Sequence, residues 1–547
     1  MKHLLSLTFL AILCSITFTC TAQSYVKKAD SLFYIHEQEN GPGLSIIVSK
    51  NGEPLYKNHT GFSNIEHQIP INDDTRFLVG SISKQFTVFS MLLLEQQNKL
   101  SIDDPITKYL PELKALPHQI TIRMLANHTN GFRNNTDLNG LRGRSDQDLI
   151  GQREMVFLLL RQRGLNFEPG ERFQYNNAGY VLLAEIVTRV SGIPFQEFVR
   201  ERIFKPLNMT SSQFINGSTS VITKKANSYY KNKDKYHYYP MNRSIVGSTG
   251  LYTTTQDLIK WTQIFVDSKL GSPAIISKMI QPSTLNSGEK IPYGLGLETK
   301  NYRGVKVIFH GGGDAAFRAY LLHIPEHNFT VAVAGNYESF NPLTIAYGMI
   351  DVFLEQSLTP KTTPSNPKPT KTQLEAYTGT YQVFPGFYIH IKSRRDSLFL
   401  QPHNTTNEVF LPVISENSFQ FTPRQHSKLV FGKDELLWHF SDFSYPAKKV
   451  TLTPIDNSQI QIEEYLGTFY NDELQTTYTF VKKGEKIIAK HAFNSDVELV
   501  PIDKDSFITD SSILGRVDFE RNEQNIIISC KISGQTAYNI PFIKYRE

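Results

Sequence analysis

The sequence predicts an α/β (α+β) domain, an antiparallel sheet flanked by helices, followed by two small all-β antiparallel barrels. Three observations carry this. Strand patterns lie at both ends of the first 357 residues, with helical patterns between them. A Pro/Thr/Lys-rich stretch, LTPKTTPSNPKPTKT (358–372), then interrupts the chain. The remainder repeats itself at a spacing of 88 residues. A chain of 547 residues exceeds what one core holds, since cores stop growing near ~250–300 residues. Its 40% hydrophobic and 20% charged composition fits globular protein rather than disorder.

Residues 1–22 read as a signal peptide. Lys2 precedes the apolar run LLSLTFLAILCSITF, and Cys20-Thr21-Ala22 offers small residues for cleavage before Gln23. The run is shorter than the ~20 residues of a membrane span, so no transmembrane segment is expected in the mature chain. The expected location is periplasmic or secreted. Lipid attachment at Cys20 is not expected, because Thr17-Phe18-Thr19 lacks the usual upstream leucine. Losing Lys2 changes the net charge from +5 to +4. That small excess over a long chain, without a dense basic block, predicts no nucleic-acid partner. Cys14 and Cys20 leave with the signal, so Cys530 stands alone and no internal disulfide is expected.

Within the first predicted domain (23–357), GLSIIVSK and EPLYKNHTGF flank Asn51-Gly52 and predict a hairpin over 43–62. Residues 82–98 carry Phe86, Phe89, Met91, Leu92 and Leu93 at helical spacing. A second helix is predicted over 178–192, stopped by Gly192. VKVIFH, FRAYLLHIP and FTVAVAGN predict consecutive strands, with turns at Gly311–Asp314 and Glu326–Asn328.

After the linker, LEAYTGTY (374–381) recurs as IEEYLGTF (462–469). Ser418-Phe419 recurs as Ser506-Phe507, and Phe431 as Phe519. Short alternating strands such as FYIHIK and TTYTFVKK predict one barrel or sandwich over 373–456 and another over 457–547.

Three motifs carry candidate chemistry. Ser81 follows Gly80 where a helix begins, and first-turn N–H groups favour negative charge there. Lys84 stands one turn on, on the same face; a desolvated lysine can act as base for the hydroxyl. Ser-x-x-Lys is common, recurring at Ser228–Lys231, Ser287–Lys290 and Ser365–Lys368, and a serine there also serves as an N-cap. Tyr175 and Asn177 precede the second helix. They suit proton transfer and carbonyl binding, or equally a packed tyrosine and an asparagine cap. His310-Gly311-Gly312-Gly313 ends an apolar strand. It suits backbone pairing with an extended substrate and an oxyanion hole built from Gly313 and Ser81 N–H groups. His310 could add a hydrogen bond or partial positive charge near neutral pH. The alternative is a glycine-rich hairpin turn with a surface histidine.

Taken in order, these motifs resemble the serine β-lactamase and penicillin-binding superfamily. The nearest branch holds class C β-lactamases, D-alanyl-D-alanine carboxypeptidases, D-aminopeptidases and esterases. The segments 80–113, 120–132, 168–180 and GSTGLYTTTQDLIKW (247–261) look like that branch, over about residues 25–355. The resemblance implies that Ser81 forms an acyl-enzyme and that Lys84 and Tyr175 share acid/base work, with the base left open. It implies that Asn177 positions substrate, that His310, Gly311 and Gly312 line an edge strand, and that Ser81 and Gly313 hold the oxyanion. It implies no metal or organic cofactor. His310 departs from the lysine of class C enzymes, and Asn130 from a more usual serine. The repeats resemble those of D-aminopeptidases and lipocalin-tailed relatives, where a tail can wall the cleft.

The expected function is an exported serine hydrolase acting on small peptides with D-residues, esters or cell-wall fragments. The alternatives are an esterase or weak β-lactamase, and a penicillin-recognising sensor. Oligomeric state is not legible.

Overall fold

The computed structural model describes residues 24–545, apart from positions 39, 117, 146, 362–367, 404, 422–426, 441–442, 453–454 and 456–459. The predicted signal, with Cys14 and Cys20, lies outside the described residues, as do parts of the linker and of the junction between the repeats. Two compact units are present. The first comprises Met1–Asp104, Leu149–Gln152 and Tyr180–Lys361; the second comprises Pro105–Asp148, Arg153–Gly179 and Thr362–Glu547. Two stretches upstream of the linker therefore cluster with the repeats.

The first unit is organised on a six-stranded antiparallel sheet. Its strands are β1 (Leu44–Lys50), β2 (Glu53–Thr60), β3 (Glu298–Tyr302), β4 (Val305–Asp314), β5 (Phe317–Ile324) and β6 (Phe329–Gly335), in the order β3-β4-β5-β6-β1-β2. Asn51 and Gly52 both adopt positive φ, 56° and 81°, and turn β1 into β2. β1 pairs with β6 from Leu44↔Gly335 to Lys50↔Phe329, which joins the two ends of this unit's sequence. One sheet face carries Ile46, Val48, Val307, Phe309, Leu322, Val331 and Val333. It packs against Phe33 from the helix at 24–34 and Ile345 and Met349 from helix Pro342–Phe353.

Helix α1 (Ser83–Gln96) is buried from Ser83 through Leu94. Its polar side chains are bonded inside the protein, as burial demands. Ser90 Oγ donates to Phe86 O, and Trp261 Nε1–H donates to Gln85 Oε1 at 2.7 Å. The second predicted helix is α2 (Asn177–Ser191), ending at Gly192 with φ 76°.

One expectation is corrected. The run Gly311–Asp314 is not a turn but the end of β4, paired as Gly311↔Tyr320, Gly312↔Ala319, Gly313↔Arg318 and Asp314↔Phe317. The chain turns one residue later, at Ala315, with φ 47°. The glycines are needed in the strand because other backbone approaches them: a Cβ on Gly312 would lie 2.0 Å from Val79 O. β3 pairs with β4 only as far as Glu298↔Phe309. Among the described strands, Gly311–Asp314 has no ladder partner on that side.

In the second unit, the later repeat is a closed eight-stranded barrel over residues 467–544. The earlier one is a nine-stranded barrel-like sheet over 379–450. Its end strands Val409–Leu411 and Val413–Ser415 are not hydrogen-bonded to each other among the described residues. Repetition extends to the packing. Tyr377, Phe419 and Phe431 form a ring cluster, and Tyr465, Phe507 and Phe519 form its counterpart 88 residues on. Lys449 Nζ donates to Ala376 O, and Lys544 Nζ donates to Glu464 O in the same place. Cys530 is buried and free.

The closed barrel meets the stretches 133–148 and 153–174 of the same unit. Arg133, 3% exposed, donates to Glu473 at 3.0 Å and to the carbonyls of Tyr538 and Asn539. Thr536 N–H donates to Asp137, and Gln174 Nε2 donates to Tyr538 Oη at 2.6 Å.

Candidate active site

Ser81 lies in a single 3-10 turn, Gly80–Ile82, that runs directly into α1. Gly80 takes φ 52°, and a Cβ there would lie 2.6 Å from Gly313 N. The backbone of the serine turn and the end of β4 are therefore in direct contact. Ser81 is half-buried and Gly313 is exposed, so this corner is open to a ligand.

Lys84 Nζ lies 2.9 Å from Ser81 Oγ and donates to Ser248 O, also at 2.9 Å. Nζ stands 5.3 Å from the centre of the Tyr180 ring. None of Lys84 is exposed. Burial holds its pKa well below the usual lysine range, while the charge of Asp314 opposes that shift. The segment supplying Ser248 is bonded to α1 and its approach. Thr87 Oγ1 donates to Gly247 O at 2.8 Å, Leu251 N–H donates to Ser83 Oγ at 3.3 Å, and Val79 N–H donates to Leu251 O at 3.0 Å.

His310 is buried rather than on the surface. Its Nδ1 lies 2.6 Å from Gly311 O, and its Nε2 lies 3.1 Å from Tyr293 Oη. A carbonyl only accepts, so Nδ1 carries the proton and Tyr293 donates to Nε2. Burial, with the charge of Lys84 second, drives the pKa down to about 3. The expected partial positive charge near neutral pH is therefore absent, and His310 is a neutral hydrogen-bonding element. Asp314, which follows the three glycines, accepts from Arg243 Nη2 and Thr249 Oγ1, each at 2.5 Å.

Of the predicted site residues, Ser81, Lys84 and His310–Gly313 are brought together in the first unit. Tyr175 and Asn177 belong to the second. There Tyr175 is half-buried, its ring 4.3 Å from that of His128. Asn176 N–H donates to His128 Nδ1 at 3.0 Å, and Asn176 Oδ1 accepts from Gly179 N–H. The helix cap is thus Asn176, and Asn177 is the first residue of α2. Asn130 serves its own loop: Nδ2 donates to Met124 O, and Oδ1 accepts from Phe132 N–H.

Sequence reasoning missed Ser248, Tyr293 and Asp314. Ser248 lies in the quoted segment 247–261, and Asp314 directly follows the glycine motif, so position alone hinted at both.

Residues 28–347 match the family model described as Beta-lactamase, more than half the chain. The chain belongs to the Beta-lactamase family. It is a serine hydrolase of that fold, a class that works through an acyl-enzyme. It is 27% identical over 335 residues to "Penicillin-binding protein 4*" of Bacillus subtilis, covering 58% of this chain and 73% of that one. It is 28% identical over 303 residues to a "D-aminopeptidase" of Gluconobacter oxydans, covering 55% of this chain and 56% of that protein. The chain thus spans little more than half of that relative's length. The solved octameric penicillin-binding protein homologue from Pyrococcus abyssi superimposes with a TM-score of 0.56 at 25% identity, over 77% of this chain and 100% of that one.

Within this Beta-lactamase family member, two other Ser-x-x-Lys pairs lie in settings without a helix start. Ser228 is buried, donates to Tyr239 O, and precedes a hairpin strand that carries an exposed Lys231. Ser287 accepts from Glu289 N–H in a turn before an exposed Lys290. Ser365 lies outside the described residues.

Proposed function

We propose that this protein is an exported amide hydrolase that forms an acyl-enzyme on Ser81 with small D-amino-acid amides and peptides. The observation that carries the reading is the dry Lys84 amine beside Ser81 Oγ, whose burial lowers its pKa and so favours the neutral form. A neutral amine takes the hydroxyl proton as Oγ attacks the substrate carbonyl. The new C–O bond leaves the former carbonyl oxygen negative, facing the N–H groups of Ser81 and Gly313. The C–N bond then breaks, and the departing amine takes the proton that Lys84 accepted. Water adds to the ester, the acid leaves, and Oγ regains its proton.

The substrate class rests on three supports. His310 is neutral and offers no charge for a substrate carboxylate. The glycine edge Gly311–Gly313, which has no β3 ladder partner among the described strands, suits an extended amide backbone. The D-aminopeptidase relative supplies the D-configuration. A panel of D-amino-acid amides, D-Ala-D-Ala peptides, nitrocefin and short esters tests it. D-amino-acid amides turn over fastest on this reading; faster turnover of nitrocefin or plain esters overturns the substrate class. Export rests on Lys2 and the apolar run that follows. N-terminal sequencing of the mature protein should begin at Gln23, and a chain starting at Met1 contradicts export.

A further inference from the structure

Asp314 stands at the last paired position of β4, with its side chain 8% exposed. Three donors converge on it: Arg243 Nη2, Thr249 Oγ1 and, at 2.9 Å, Ala315 N–H. Arg243 and Thr249 bracket the approach to Ser248, the residue whose carbonyl accepts from Lys84. Ser248 and Thr249 lie between Gly247 and Gly250, which take φ 91° and 95°. Glycine-flanked turns are entropically soft: α1 holds this one at Gly247 O and Leu251 N–H, and Asp314 adds an anchor at Thr249 itself. A charge-assisted bond in a poorly solvated place is the strongest available.

We propose that Asp314 is a positioning residue for acylation: by gripping Thr249 and Arg243 at the end of β4, it seats the 247–250 turn so that Ser248 O holds Lys84 against Ser81. The proposal rests on Ser81 and Lys84 being the acylating pair. Asp314 also acts through space. Its charge favours the Lys84 ammonium against burial, and Arg243 offsets that charge. Other groups facing Lys84 include His310 on β4 and the Tyr180 ring on α2.

The test is the rate of Ser81 labelling by a fluorophosphonate across pH, in full-length variants whose thermal transitions show them folded. Labelling requires neutral Lys84, so its acid limb follows the Lys84 pKa. Asp314→Asn removes the negative charge and moves the limb to lower pH. Arg243→Gln leaves that charge uncompensated and moves it to higher pH. Thr249→Val slows labelling about 10-fold or more through misplacement, and Thr249→Ser recovers most of the loss. With amide substrates the change falls on kcat rather than KM. Wild-type rates with an unmoved limb in Asp314→Asn and Thr249→Val overturn the proposal, as does a shift of both charge variants in one direction. If Asp314→Asn does not fold, the Thr249 pair decides. A wild type that is not labelled at Ser81 overturns the acylating pair itself, which separates that failure from this one.

Discussion

Gly312 lies so close to Val79 that a methyl group in place of its hydrogen would stand 2.0 Å from the Val79 carbonyl oxygen. Val79 leads into the Ser81 turn, so this contact fixes the distance between the nucleophile and the glycine strand. Gly312→Ala forces the two backbones apart, and overpacking of this kind costs about 1–3 kcal/mol or more. Gly311→Ala meets only the Tyr320 ring, at 3.5 Å, and should cost under about 1 kcal/mol. Denaturant unfolding of the two variants checks the contrast.

Lys84 carries opposite consequences for stability and rate. Its folded pKa is depressed, so the unfolded chain binds the extra proton between that value and the ordinary ~10.4. The burial penalty is full below the depressed pKa and fades as pH rises towards ~10.4. Lys84→Met should therefore be more stable than wild type at neutral pH, by thermal unfolding. The same variant should lose acylation by ~10²-fold or more, the scale of lost acid/base catalysis.

His310 should remain neutral across the working range of the enzyme. With a folded pKa of about 3 against ~6.5 unfolded, the unfolded state binds more protons between those values. Its share of stability is therefore lost as pH falls through that window. NMR of the ring should show no titration from pH 5 to 8; a midpoint near 6.5 contradicts the buried, Tyr293-bonded geometry.

Arg133 and Glu473 are 3% and 7% exposed. Removing one partner of such a pair strands a buried charge, at about 3–5 kcal/mol. Glu473→Ala should show that loss in chemical unfolding, and the double variant Arg133→Met/Glu473→Leu should recover most of it.

Local chemistry was legible in the sequence. Asn51-Gly52 encodes its hairpin by positive φ, the helix after Ser81 shows in its apolar spacing, and the 88-residue repeat carries the paired ring clusters. The glycines at 311–313 were misread as a turn, because glycine content alone does not distinguish bending from close backbone approach. The neutral state of His310 needed Tyr293 and the Gly311 carbonyl to be placed around it. Asp314 with Thr249, and Arg133 with Glu473, are pairings between distant stretches of chain that no local pattern announces.

The most direct measurement is mass-spectrometric mapping of the residue modified by a fluorophosphonate or a fluorescent β-lactam. Modification at Ser81, lost in Ser81→Ala, is the predicted result. Modification at another residue, or none with either probe on folded protein, would contradict the assignment of Ser81 as the nucleophile.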